Sequence, residues 1–153
     1  MDAITILKRC REAPEEIRRL GQRIRQRRDA ATGISAPRTD KDGGGQRELD
    51  KIGRMLSDVS DLETQMERRR ERHAAEKAAA CVLLDTLPGL PSGVLYAWYL
   101  NRETAAEIAR RLHYQASYIR KVKLRGEQAL AELPPETVAA ALPAWYLREE
   151  AGE

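Results

Sequence analysis

Phenylalanine is absent from this chain, and aromatic residues together make up only 5% of it. A sheet core draws on aromatic and β-branched side chains, so the composition disfavours one. No apolar run approaches the roughly 20 residues that cross a bilayer, so no membrane association is expected. Near the N-terminus Lys8, Arg9 and Arg11 come too soon for the apolar core of a secretory signal. The two cysteines, Cys10 and Cys81, stand far apart with no CxxC spacing, and with His73 and His113 they form no metal-ligand pattern. They read as small buried thiols in a reducing, cytoplasmic compartment. No Ser-His-Asp or Cys-His arrangement is evident, and the acids fall beside Lys or Arg on faces that helices would expose to water. Neither an enzyme nor a cofactor is expected.

What the chain does have is Ala, Leu, Arg and Glu, with 33% of its residues charged. That mix suits amphipathic helices and predicts an all-α fold. A length of 153 residues allows one ordinary domain or two small helical units. The net charge is only +3, but it is unevenly spread. Residues 116–126 carry Arg120, Lys121, Lys123 and Arg125 with no acid, whereas 134–153 set Arg148 against Glu136, Glu149, Glu150 and Glu153. A concentrated basic stretch is the electrostatic mark of a phosphate-binding surface, and also of an ordinary solvated face.

Residues 2–31 read as helix, with Leu7, Cys10, Ile17, Leu20 and Ile24 at steps of three, four or seven. Pro14, followed by Glu15 and Glu16, allows either a kinked helix or two abutting ones. Residues 32–45, TGISAPRTDKDGGG, read as a flexible linker, and the Gly-Lys-Ser/Thr ending of a phosphate-binding loop is absent there. A second helix is expected over 46–87, its seam marked by Leu49, Ile52, Leu56, Val59, Leu62 and Met66. The two helices would bury their stripes against each other as an antiparallel, coiled-coil-like hairpin over 1–87. With its turn centred near residue 39, Cys10 would lie level with about residue 68, well short of Cys81. Leu87-Pro88-Gly89 stops the second helix, and Ser92 is a candidate cap for a short one after it. The tetrapeptide AWYL occurs at 97–100 and again at 144–147, too short a match for a structural repeat. Trp145 and Leu147 of its second copy are expected to dock. Pro134-Pro135 separates residues 88–134 from a short helix and acidic tail over 135–153.

The informative stretch is 104–133. Thr104-Ala-Ala-Glu107 has the form of a capping box, with Ile108, Ala109 and Leu112 behind it as a short apolar face. His113 and Tyr114 make a tight turn at a place where glycine is common, because positive φ is needed there. A second helix begins near Gln115, with Ile119, Val122, Gly126, Ala129, Leu130 and Leu133 facing inward. This is the pattern of a helix-turn-helix. The outer residues of its second helix are the candidate DNA contacts: Gln115, Ala116, Ser117, Tyr118, Arg120, Lys121, Lys123 and Arg125. The first two turns would reach base edges, and the later cations would suit phosphates. An ordinary three-helix bundle with a solvated basic face is the plain alternative.

The segment LNRETAAEIARRLHYQASYIRKVKLRGEQAL resembles region four of bacterial sigma factors, the module that reads the −35 promoter element. The shared features are the Thr-x-x-Glu-Ile-Ala opening, the leucine before the turn and the basic second helix. In layout the chain over 2–133 is similar to small phage and prophage proteins, ArpU-type late transcription regulators among them. These pair an N-terminal helical hairpin with a sigma region-four-like helix-turn-helix. The resemblance implies a transcription regulator that binds double-stranded DNA in the cytoplasm of a bacterial host cell. It places Ala116, Ser117, Arg120 and Lys121 at the base-contacting positions. Ala116 and Ser117 stand where longer polar side chains are usual, so a −35-type site is not implied. The promoter-melting segment of a complete sigma factor is missing. RNA polymerase and a second copy of the chain, joined through the hairpin, are the further partners implied. Two other readings stay open: an adaptor for polymerase or sigma factor without DNA binding of its own, and a DNA-packaging subunit like small terminase proteins.

Overall fold

The structure is a computed structural model that describes residues 1–34 and 44–153. Among the described residues there are seven α-helices, one π-helical segment and no strand, so the fold is all-α. No helix among them is long and apolar enough to cross a membrane.

Helix α1 spans Ala3–Ile34 and α2 spans Gly44–Leu84. Asp2 caps α1 by accepting a hydrogen bond from the Thr5 amide at 2.7 Å, and that bond holds its carboxyl below the usual range. The helix passes through Pro14 without a break. It also continues through Thr32 and Gly33, where a linker was expected, and α2 begins at Gly44. The rest of the expected linker lies outside the described residues.

The chain divides into two compact units. One is Glu15–Arg70, and the other combines Met1–Pro14 with Glu71–Glu153. The start of α1 and the last part of α2 therefore belong with the helices that follow residue 88.

Within Glu15–Arg70, Arg27 pairs with Asp58 at 3.2 Å, Arg28 with Glu63, and Glu16 with Arg69 at 2.5 Å. Glu16, early in α1, meets the later residue Arg69 of α2, while Arg27 and Arg28 meet the earlier Asp58 and Glu63, so the two helices are antiparallel here. Ile24 and Val59 are buried between them. The expected seam is only partly hidden: Ile52, Leu62 and Met66 are half-buried, but Leu49 is 64% and Leu56 54% exposed. Two helices with no third layer each cover a single narrow stripe, and these leucines fall outside it.

In the composite unit Cys10 packs in one cluster with Ala79 and Ala80, further along α2 than residue 68. No disulfide joins Cys10 to Cys81. The same cluster takes in Ile6, Leu7, Leu83 and Leu84 from the long helices, then Leu95, Tyr99, Leu130, Val138, Leu142 and Tyr146. Helix α3 (Leu90–Leu95) starts behind Gly89, whose φ of 73° suits glycine. Ser92 lies inside α3 and does not cap it. Its hydroxyl donates to the Leu84 carbonyl at 2.9 Å and ties α3 to the end of α2.

A π-helical segment, Tyr96–Leu100, extends α3, and α4 (Ala105–Leu112), α5 (Ala116–Ala131), α6 (Pro135–Ala140) and α7 (Ala144–Glu150) complete the unit. Both AWYL copies use their tyrosine in the same way. Tyr99 is buried and donates to Glu127 at 2.9 Å, and Tyr146 is buried and donates to the buried Glu76 at 2.7 Å. Trp145, expected to dock, is 37% exposed, because a seven-residue helix presents only one neighbour of that pair to the core.

Gly126 is where α5 and α3 approach most closely. A Cβ there would stand 2.8 Å from Leu95 Cδ1 and 3.3 Å from Pro91 Cβ. Leu95 is fully buried and has little room to give. Gly126→Val is therefore expected to destabilise the composite unit by about 1–3 kcal/mol through overpacking. A lowered thermal midpoint, read by circular dichroism, checks this, and an unchanged midpoint contradicts the packing.

Candidate nucleic-acid interface

Helix α4 begins as its sequence dictates. Thr104 has extended backbone and its hydroxyl accepts from the Glu107 amide at 3.2 Å, leaving one fewer orphan donor in the first turn. Ala105, Ile108 and Ala109 are buried, while Arg110 and Arg111 stand in the last turn, where cations complement the helix dipole. His113 then takes left-handed backbone, φ 62° and ψ 42°, and the Tyr114 amide donates back to the Ala109 carbonyl at 2.9 Å. Gln115 returns to extended backbone and starts α5 with no side-chain cap.

The contact between α4 and α5 is a small apolar cluster. Ile108, Ala109 and Ala105 meet Ile119 and Val122 of α5, closed below by Val94 and Ala97. Small Ala109 leaves room for Ile119, so a short helix and a long one are held by few side chains. Ile119, Val122, Gly126 and Leu130 form the inward stripe of α5. Ala129, expected inside, is exposed: its neighbour Leu130 occupies the inward position of that turn.

The outer face carries the predicted residues, with one departure. Gln115, Ser117, Tyr118, Arg120, Lys121 and Arg125 are exposed, and Ala116 is half-buried. Lys123 turns instead toward the core side. Its ammonium pairs with Glu127 at 2.7 Å and lies 4.7 Å from the centre of the Trp98 ring, which the Arg11 guanidinium also faces at 4.1 Å. Arg11 also donates to the Trp98 carbonyl. Glu127 accepts from Tyr99 as well, and burial, then that hydrogen bond, pushes the Tyr99 phenol upward. Lys123 thus helps to fasten α5 to the π-helical segment. The position was legible: it follows buried Ile119 by four residues and precedes buried Gly126 by three.

Among the described residues, Arg110, Arg120, Lys121 and Arg125 have no carboxylate within ion-pair distance. In the long helices Arg9, Arg18, Arg27, Arg28, Arg69 and Arg72 face acids, whereas Arg23, Arg25, Arg47, Arg54 and Arg70 show no carboxylate of the described residues within ion-pair distance either. Three features escaped the sequence reading. Leu124 is 55% exposed in the middle of the outer face, two residues beyond buried Val122. Arg110 adds an unpaired cation from α4. Tyr114 packs against Tyr118 with ring centroids 5.0 Å apart, and both rings stay open to solvent.

Among the described residues no three His, Cys, Asp or Glu side chains gather as metal ligands. The arrangement offers unpaired guanidinium and ammonium groups, an uncapped helix start and an aromatic pair around the start and outer side of α5. Such groups can bind polyanions. The chain matches no family of known proteins, no curated protein and no solved structure.

Proposed function

We propose that this chain is a sequence-specific DNA-binding transcription regulator of phage or prophage type, with α4 and α5 acting as a sigma region-four-like helix-turn-helix. The observation that carries the reading is the unpaired cationic outer face of α5, raised on a short helix and a left-handed turn. A recognition helix docks in the major groove by its N-terminal turns, with phosphates held further along. Gln115, Ala116, Ser117, Arg120 and Lys121 occupy those first turns, and Arg125 further along suits a phosphate. The start of α5 has no side-chain cap, which leaves its amides for a phosphate oxygen. One helix offers few base contacts, so a second copy of the chain or RNA polymerase would supply the remaining specificity.

Single replacements separate the roles. On a preferred site Arg120→Ala is expected to cost about 1–3 kcal/mol and to relax preference at one base pair. Arg125→Ala should weaken every sequence alike and lower the salt slope by about one. Fluorescence anisotropy on matched and mismatched duplexes reads both, and equal losses on every sequence for both variants would sink the assignment. Exposed Leu124 favours a second reading, an adaptor that docks on polymerase or a sigma factor. Co-purification of polymerase without any DNA retention would select it.

A further inference from the structure

We infer that Tyr114 and Tyr118 form a methyl-reading platform, which makes thymine methyl groups a determinant of the bound sequence; this rests on the DNA-binding reading above. The two rings are 47% and 39% exposed, although each has apolar surface that folding normally hides. They lean on each other at 5.0 Å with their planes tilted by 43°, so the pair is held as one surface. Among the described residues neither hydroxyl makes a hydrogen bond to protein, so nothing in the fold requires the rings to stand there.

Their place along the chain supplies the ligand. Within α5, Tyr118, Lys121 and Arg125 recur at steps of three and four, which is one stripe on a helix, and Tyr114, which precedes the helix, joins that stripe through its ring contact with Tyr118. The stripe is aromatic at the start of α5 and cationic, through Lys121 and Arg125, further on. A duplex offers the same sequence of chemistries across its major groove. The base faces are stacked away inside, the edges carry polar groups, and the one apolar group on those edges is the C5-methyl of thymine. Phosphates flank the groove on both sides. With Arg125 on a phosphate, the aromatic end reaches the base edges, and a thymine methyl is what a tyrosine ring can contact there.

The test replaces thymine by deoxyuracil, which removes the methyl group and leaves the hydrogen-bonding edge intact. The probe is the duplex most enriched when the full-length chain is mixed with fragments of its source genome. At one or two positions deoxyuracil is expected to weaken binding about three- to fivefold, the effect of burying one methyl group. Tyr118→Ala and Tyr114→Ala should weaken binding to the thymine duplex and abolish that difference, while Tyr118→Phe keeps it. Both tyrosines are exposed, and the deoxyuracil scan on the unaltered chain needs no variant at all. Tight duplex binding that ignores every methyl group overturns the assignment alone, as does a methyl effect that survives both alanine variants. Absence of any duplex binding overturns the regulator reading and the assignment with it. A preference for single-stranded DNA also overturns it, because the rings would then stack on bases.

Discussion

Replacing Tyr146 with alanine is expected to destabilise the composite unit by about 3–5 kcal/mol, the range for truncating a fully buried aromatic side chain. Among the described residues Tyr146 is the largest side chain with no exposed surface. Its hydroxyl donates to Glu76 at 2.7 Å and accepts from Arg9 at 2.7 Å, and the Arg72 guanidinium lies 4.3 Å above its ring. Burial, then the hydrogen bond to Glu76, pushes the phenol up to about 12. Alanine would open a cavity beside a buried carboxylate and remove one of its donors. Phenylalanine would keep the ring and lose only the hydroxyl, at about 1–3 kcal/mol. Urea unfolding of the three proteins, followed by circular dichroism, reads the order. Equal midpoints for all three would contradict the packing of α7.

The same cluster sets an acid limit. Glu150 meets Arg9 at 2.8 Å and also Arg72, while Glu149 meets Arg72 at 2.9 Å. The Arg9 bond, then that of Arg72, holds the Glu150 carboxyl below its usual range against the opposing effect of burial. A depressed folded-state value means that the stabilisation is present above the unfolded carboxylate range and is lost as pH falls through the folded one. Stability should therefore decline on acidification below about pH 4.3, and part of that decline should be absent in Glu150→Gln.

The second large effect concerns the outer face of α5. Reversing two charges together, Arg120→Glu with Lys121→Glu, is expected to lower DNA affinity by about a hundredfold or more. Both side chains are exposed and have no carboxylate partner among the described residues, so the fold should change by no more than about 0.5 kcal/mol. An unaltered thermal midpoint with lost binding is the expected pair of results. Binding within twofold of the original would remove α5 from the interface. Lys123→Ala should behave in the opposite sense, lowering stability through Glu127 and Trp98 more than it lowers affinity.

Local chemistry was legible in the sequence where a few neighbouring residues decide the outcome. Thr104 three residues before Glu107, histidine at a left-handed turn, and Ile119, Val122, Gly126 and Leu130 at helical spacing all stand where their pattern puts them. Features decided by distant partners were not legible. Which member of Ala144-Trp145-Tyr146-Leu147 faces inward depends on Glu76 and Arg9, far away in sequence. The exposure of Leu49 and Leu56 reflects the lack of a third layer, which no periodicity reports. Glu76 sits among alanines and lysine in a charged helix, and the hydroxyl it meets on Tyr146 comes from far along the chain. Lys123 lies between the two cases: its helical angle pointed inward, but its basic neighbours drew it into a charge run.

In the proposed reading the outer face of α5 selects particular DNA sequences. The most direct test is to mix the full-length chain with fragments of its source genome at about 150 mM salt and sequence what is retained, with the Arg120→Glu, Lys121→Glu protein alongside. Enrichment of one or a few sites by the unaltered chain, and of none by the variant, is expected. Uniform retention, no retention, or the same enrichment by both proteins would contradict it.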